Sequence, residues 1–174
     1  YGLRGKVNDL IRSYLNNRSQ FVSINGTDSK VQKITCGVPQ GSSLGPLLFL
    51  IYINDFRFCL NKTEAGHFAD DTYIMYASNK INTIETIVNT ELELVTNWLR
   101  LNKLSLNATK TELVIFRSKW RKLDREMIIK LNGKRLTPTD NVKYLGMYLD
   151  NHLSWDQHIL KLSTTLSRAN GILS

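Results

Sequence analysis

The chain has 174 residues, 42% of them apolar, enough for a domain with a real core and not the profile of a disordered chain. Lys and Arg number 23 against 15 Asp and Glu, and the formal charge of +8 favours a polyanionic partner, nucleic acid before a membrane surface. Two cysteines without paired spacing, Cys36 and Cys59, argue against a disulfide framework or zinc site and for free buried thiols in a reducing compartment. The longest apolar run, Leu47 to Ile53, is far short of the ~20 residues a membrane span needs. Tyr1 is not a start methionine, so the chain reads as a fragment.

From the N-terminus, Val7, Leu10, Ile11, Tyr14 and Leu15 fall on one face of a helix over 5–16, with Arg4, Lys6, Arg12 and Arg18 elsewhere. Gln20 to Ile24 and Val31 to Thr35 read as strands of a hairpin turned at Asn25-Gly26. Gly37-Val38-Pro39-Gln40-Gly41 follows, a glycine-flanked loop stiffened by Pro39. Ser42 or Ser43 can cap the next helix, with Pro46 in its first turn. Such a loop is either a structural bend or a seat for phosphate or base at a helix N-terminus. The helix over 44–55 is apolar nearly all round and is expected to be buried.

Gly66-His67-Phe68-Ala69-Asp70-Asp71-Thr72-Tyr73-Ile74-Met75-Tyr76 comes next and reads as strand, tight turn, strand. Asp70 and Asp71 sit at the turn. They form either an ordinary polar turn or a pair of oxygen donors for a hard divalent cation, Mg²⁺ first, which would relieve their mutual repulsion. Asn82 and Glu85 give a capping-box start to an amphipathic helix over 83–101, whose stripe is Ile84, Ile87, Val88, Leu92, Val95, Trp98 and Leu99.

Leu113 to Phe116 reads as a strand. Arg117, Lys119, Arg121, Lys122 and Arg125 then cluster around Trp120, either as a solvated loop or as a contact for a nucleic-acid backbone with a stacked base. Met127 to Leu131 and Lys134 to Leu136 form a hairpin about Asn132-Gly133. Val142 to Leu149 is a strand interrupted by Gly146, which suggests a bulge, a plain bend or a close backbone approach. Ser154 and Gln157 begin a last helix with Trp155, Ile159, Leu162, Leu166 and Ala169 as its stripe.

Four stretches, in this order, resemble the reverse transcriptase domain of non-LTR (LINE-like) retrotransposons. Val38-Pro39-Gln40-Gly41 matches that family's motif B and Phe68-Ala69-Asp70-Asp71 its motif C. Asn107-Ala108-Thr109-Lys110-Thr111-Glu112 is similar to motif D, and Leu145-Gly146-Met147-Tyr148-Leu149-Asp150 to motif E, the primer grip. Motif A, with a further metal-binding aspartate, normally lies upstream of the position where this chain begins.

The resemblance implies an α+β fold: a polymerase palm-type antiparallel sheet with helices packed on one face, then a hairpin-rich segment and the start of a thumb helix. Residues 1–150 would be a partial fingers/palm domain and 151–174 the start of the thumb. The implied reaction is RNA-templated DNA synthesis, a primer 3′-hydroxyl attacking a dNTP with two Mg²⁺ ions (Mn²⁺ as a substitute) held by Asp70 and Asp71. Pro39, Gln40, Gly41 and Phe68 would bind the nucleotide, Lys110 would lie near the leaving pyrophosphate as general acid or as a steering cation, and Leu145 and Gly146 would hold the primer end. Lys119, Trp120, Arg121 and Lys122 remain the nucleic-acid contacts suggested by composition. Implied partners are RNA template, DNA primer, dNTP and further domains of one polyprotein, inside the cell in nucleus or cytoplasm, with no membrane. Without motif A the chain is expected to be inactive alone. The alternative is a catalytically dead retroelement remnant that only binds nucleic acid.

Overall fold

The computed structural model describes residues 2–107 and 109–173. Ala108, within the motif D stretch, and Tyr1 lie outside them. The chain divides into two compact units, Tyr1–Asn54 and Asp55–Ser174.

In the first unit α1 (Gly5–Leu15) carries the expected stripe, although none of its residues is buried. The predicted hairpin forms as two short antiparallel ribbons. β1 (Ser19–Gln20) pairs with β4 (Gln32–Lys33), and β2 (Ser23–Ile24) with β3 (Thr27–Asp28). Asn25 and Gly26 both take positive φ, 51° and 77°, the signature of a type I′ turn. Between the ribbons the Val22 amide donates to the Ser29 hydroxyl at 2.9 Å, so a side chain replaces a ladder partner and interrupts the strands.

α2 (Leu44–Ile53) departs from expectation. Only Gly45 and Ile53 are buried, while Leu47 and Leu50 are 54% and 48% exposed. One other helix and two short ribbons present too little apolar surface to enclose a helix that is apolar on every side. Cys36 is also exposed, and Cys59, in the second unit, is half-buried. Burial, more than nearby Glu91, pushes the Cys59 thiol up.

The second unit opens on a 3₁₀ turn, Phe56–Cys59, followed by β5 (Glu64–Phe68) and β6 (Asp71–Met75). α3 (Ile81–Leu101) comes next. Short strands follow: β7 (Leu113–Val114), β8 (Ile129–Leu131), β9 (Lys134–Leu136), β10 (Pro138–Thr139), β11 (Asn141–Tyr144) and β12 (Met147–Asp150). α4 (Asp156–Leu173) is the last described element.

α3 is the spine of this unit. Val95 buries with Phe56, Met127, Ile129 and Leu131. Alternation in β8 turns Ile129 and Leu131 inward and Lys130 outward. The residues read as a capping box do other work. Lys80 is the N-cap, without a side-chain cap, and Asn82 and Glu85 both accept from the Arg125 guanidinium, Glu85 at 2.6 Å. One or two turns on, Asn89 accepts from the Lys130 amide and donates to the Ile128 carbonyl, both at 2.8 Å, so α3 docks the segment entering β8 as a strand edge would.

The continuous antiparallel sheet is not what forms. Among the described residues the strands pair as six separate two-stranded ribbons, and one pair, β7 with β10, is parallel. Five of the six are antiparallel, and most close locally through tight turns before a longer strand can recruit a third partner.

Candidate active site

The acidic pair stands at the tip of the β5–β6 ribbon. Phe68 pairs with Asp71, so Ala69 and Asp70 are the two turn residues and Asp71 is the first residue of β6. Ala69 has φ 53°, a conformation that hairpin turns of the primed type require at their first central position. Asp70 and Asp71 are exposed, and neither carboxylate has a hydrogen-bond or ion-pair partner among the described residues. Phe68 is 64% exposed beside them.

Contacts at His67, at Glu91 and at Tyr73 fix this ribbon. His67 Nδ1 lies 2.9 Å from the Thr72 hydroxyl across the ladder. The His67 ring meets Phe56 edge-on at 4.9 Å, and Phe56 meets Trp98 of α3 at 5.1 Å. Burial lowers the His67 pKa, favouring the uncharged ring, and among the described residues Nε2 is buried without a hydrogen-bond partner. At the base of the ribbon buried Glu91 of α3 accepts from the Asn61 amide and the Thr63 hydroxyl, both at 2.9 Å, and from the Lys62 amide at 3.3 Å. Burial pushes the Glu91 carboxyl up, but these donors outweigh it and the net shift is downward.

The third contact joins the acidic hairpin to the motif E hairpin. Gly66 pairs with Tyr73, and a Cβ at Gly66 would overlap the Tyr73 ring, which lies across the glycine. That ring meets Tyr144 edge-on at 5.6 Å. Tyr144 pairs with Met147, leaving Leu145 and Gly146 as a two-residue turn with φ 47° and 84°. Gly146 is therefore the tip of a type I′ hairpin and not a strand bulge. A Cβ there would meet nothing within 4 Å, so the glycine serves the turn and not a close approach. Burial, then Tyr73 and Asp71, raise the Tyr144 pKa, so the Asp71 charge is felt at the residue preceding the motif E turn.

At the end of β12, buried Asp150 accepts from the amides of His152, Ser154 and Trp155 and from the Ser154 hydroxyl, all at 2.9–3.1 Å. The Ser154 amide leads in holding its carboxyl down at about 2. The Asp156 amide in turn reaches the Ser154 hydroxyl at 3.4 Å, so Asp150 organises the entry to α4 through serine.

Pro39, Gln40 and Gly41 belong to the other unit. Gln40 and Gly41 are exposed, and Gly37 and Gly41 take φ 82° and 78°. Ser42 accepts from Tyr14 of α1 and from the Gly45 amide, the latter at 3.1 Å, so it is Ser42 that caps the start of α2. Lys110 is exposed on a turn held by Asn107, whose Oδ1 accepts from the Thr109 hydroxyl at 2.7 Å and whose carbonyl accepts from the Lys110 amide at 3.1 Å.

The acidic pair fits a hard divalent cation as donors: two exposed, unpartnered carboxylates, the number Mg²⁺ commonly takes from protein when substrate phosphates complete its shell. Among the described residues no third His, Cys, Asp or Glu forms a cluster with them. Gly66, Tyr73, Tyr144 and Glu91 were not singled out in the sequence. Glu91 had a visible signal, a carboxylate at helical spacing from Ile87, Val88 and Val95 on the apolar face of α3.

Residues 2–149 match the family model described as reverse transcriptase (RNA-dependent DNA polymerase). The chain is 29% identical over 160 residues to the RNA-directed DNA polymerase from mobile element jockey of Drosophila melanogaster, covering 88% of this chain and 17% of that protein. It is 30% identical over 176 residues to the jockey polymerase of Drosophila funebris, covering 95% and 19%. With the probable RNA-directed DNA polymerase from transposon X-element of Drosophila melanogaster it shares 30% over 162 residues, covering 90% and 17%. The chain thus spans under a fifth of the length of these relatives. No solved structure matches.

Proposed function

The chain belongs to the reverse transcriptase (RNA-dependent DNA polymerase) family, and on that premise we propose that it is part of a non-LTR retrotransposon polymerase that copies RNA into DNA. The observation that carries the reading is the placement of two unpartnered carboxylates at a hairpin tip whose strand contacts the motif E hairpin through Tyr73 and Tyr144. Asp70 and Asp71 hold the divalent cations, Mg²⁺ or Mn²⁺, which when bound neutralise charge on the nucleotide phosphates. The exposed Phe68 ring borders the nucleotide. In the first unit, the Pro39-Gln40-Gly41 loop offers backbone N–H groups and the Gln40 amide to a nucleotide. The Leu145-Gly146 turn steadies the primer end, and the Lys110 Nζ offers a proton or a positive charge to the departing pyrophosphate. Template RNA, DNA primer and dNTP are the partners, alongside further domains of the same polyprotein. Such work belongs inside the cell, in nucleus or cytoplasm; among the described residues no helix is long and apolar enough to cross a membrane.

Two carboxylates are a minimal donor set for a metal pair, and this favours a second reading in which the 174-residue chain binds primer and template without extending them. Primer extension on an RNA template separates the readings. In a longer product that includes an upstream motif A aspartate, Asp70→Asn and Asp71→Asn should each lower the rate by roughly 10³-fold or more. Full activity in both variants would end the catalytic reading.

A further inference from the structure

We infer that the loop over residues 117–122 is a rigid platform on which Trp120 stacks one unpaired base of a single nucleic-acid strand, with Lys119 and Lys122 on the flanking phosphates. The inference rests on the polymerase reading above and assigns it a further nucleic-acid contact.

The loop is pinned at both ends. The Arg117 amide donates to the Asn151 carbonyl at 2.9 Å, and the Arg117 carbonyl lies 2.9 Å from His152 Nδ1, just beyond β12. Arg121 Nη2 donates to the Asn79 carbonyl at 2.5 Å, in the segment that leaves β6. Within the loop Arg117 Nη1 donates to the Arg121 carbonyl at 2.8 Å, and the Arg121 amide closes a turn on the Ser118 carbonyl at 3.1 Å. The Trp120 amide leans on the Ser118 hydroxyl at 3.4 Å.

Two guanidinium groups are therefore spent on holding the loop. What it presents outward is Trp120, 93% exposed and the most exposed large apolar side chain among the described residues, with exposed lysines on either side. A tryptophan is ordinarily well buried, and holding one out in water on a fixed turn suits a partner with a flat apolar face. Lysines at both flanks of the ring make that partner anionic along its chain, and a stacking base between phosphates meets both conditions. A duplex meets only the second, because its bases are already stacked. The loop is tied at Asn79, beyond the Met75 end of β6, whereas Asp71 opens that strand at its other end.

Binding of this chain to fluorescently labelled oligouridylate of roughly a dozen nucleotides, and to a blunt duplex of the same length, tests the inference. Trp120→Ala should weaken single-strand binding about tenfold, in the range of one stacked base, Trp120→Phe should recover most of it, and duplex binding should stay within about twofold. Lys119→Ala with Lys122→Ala should lower the slope of log K against log salt by about 1.4 on single strands, while Trp120→Ala leaves that slope unchanged. Single-strand affinity in Trp120→Ala equal to that of the unchanged chain overturns the platform and leaves the polymerase reading standing. So does an equal loss on single strand and duplex. Failure of the unchanged chain to bind any nucleic acid overturns both. A deoxyuridine oligomer in parallel tells RNA from DNA as the strand held.

Discussion

Replacing Glu91 tests whether α3 anchors the acidic hairpin. Its Oε2 atom accepts two bonds of 2.9 Å and one of 3.3 Å from residues 61–63, the approach to β5. A hydrogen bond to a charged group contributes about 1.5–3 kcal/mol, so the two short ones together represent about 3–6 kcal/mol. Removing a buried carboxylate recovers part of that, and Asn61 and Lys62 are exposed enough for water to rebind their amides. Glu91→Ala should therefore destabilise the unit by about 2–3 kcal/mol, and Glu91→Gln, which keeps the shape and one acceptor, by about 1–2 kcal/mol. With an m value of about 2 kcal/mol/M, the urea midpoint of the Ala variant should fall by about 1–1.5 M. The Asn61 and Lys62 amides should also exchange with solvent faster than those of β8. A midpoint unchanged within about 0.2 M, with unaltered exchange at those amides, would show that the clamp anchors nothing.

Other substitutions probe neighbouring joints. Gly66→Ala drives a Cβ into the Tyr73 ring and should cost about 1–3 kcal/mol by thermal or urea unfolding, whereas in a Tyr73→Ala background the same change should cost under about 0.5 kcal/mol. Ala69→Val places a β-branched residue at φ 53° and should destabilise by about 1–2 kcal/mol, while Ala69→Gly should not destabilise at all; equal melting temperatures for Val and Ala would refute the turn geometry. Asp150 is held at about 2, below its ordinary 3.8, so its contribution is complete above pH 3.8 and is lost as pH falls toward 2. Glu91 acts in the same direction below its ordinary 4.5. Melting temperature measured from pH 5 to 2 should fall less steeply in Asp150→Asn than in the unchanged chain, and parallel curves would remove Asp150 as a contributor.

Local chemistry was the most legible part of the sequence. Both Asn-Gly pairs turn as read, because only residues that tolerate positive φ fit a two-residue hairpin. α3 and α1 follow their apolar spacing to within a residue or two. Less legible was anything decided by partners distant in sequence. Asn82 and Glu85 look like a cap by spacing, and only the arrival of Arg125, about forty residues on, makes them its acceptors. Gly146 was misread because Leu145 is a poor advertisement for a turn, and its φ of 47° is imposed by the pairing of Tyr144 with Met147. The extent of the sheet was not legible at all, since pattern marks a strand but not how many neighbours it recruits.

Open ribbons have a practical consequence. Where a sheet ends, amide and carbonyl groups can point outward with nothing to pair, and among the described residues every strand borders such an edge, that at β8 being covered by Asn89. Met75 and Phe68 put half-exposed apolar surface on the same strands. Purified and concentrated by itself, this polypeptide should therefore stick to its own copies, and charge repulsion at low salt should keep it dispersed better than dilution into high salt.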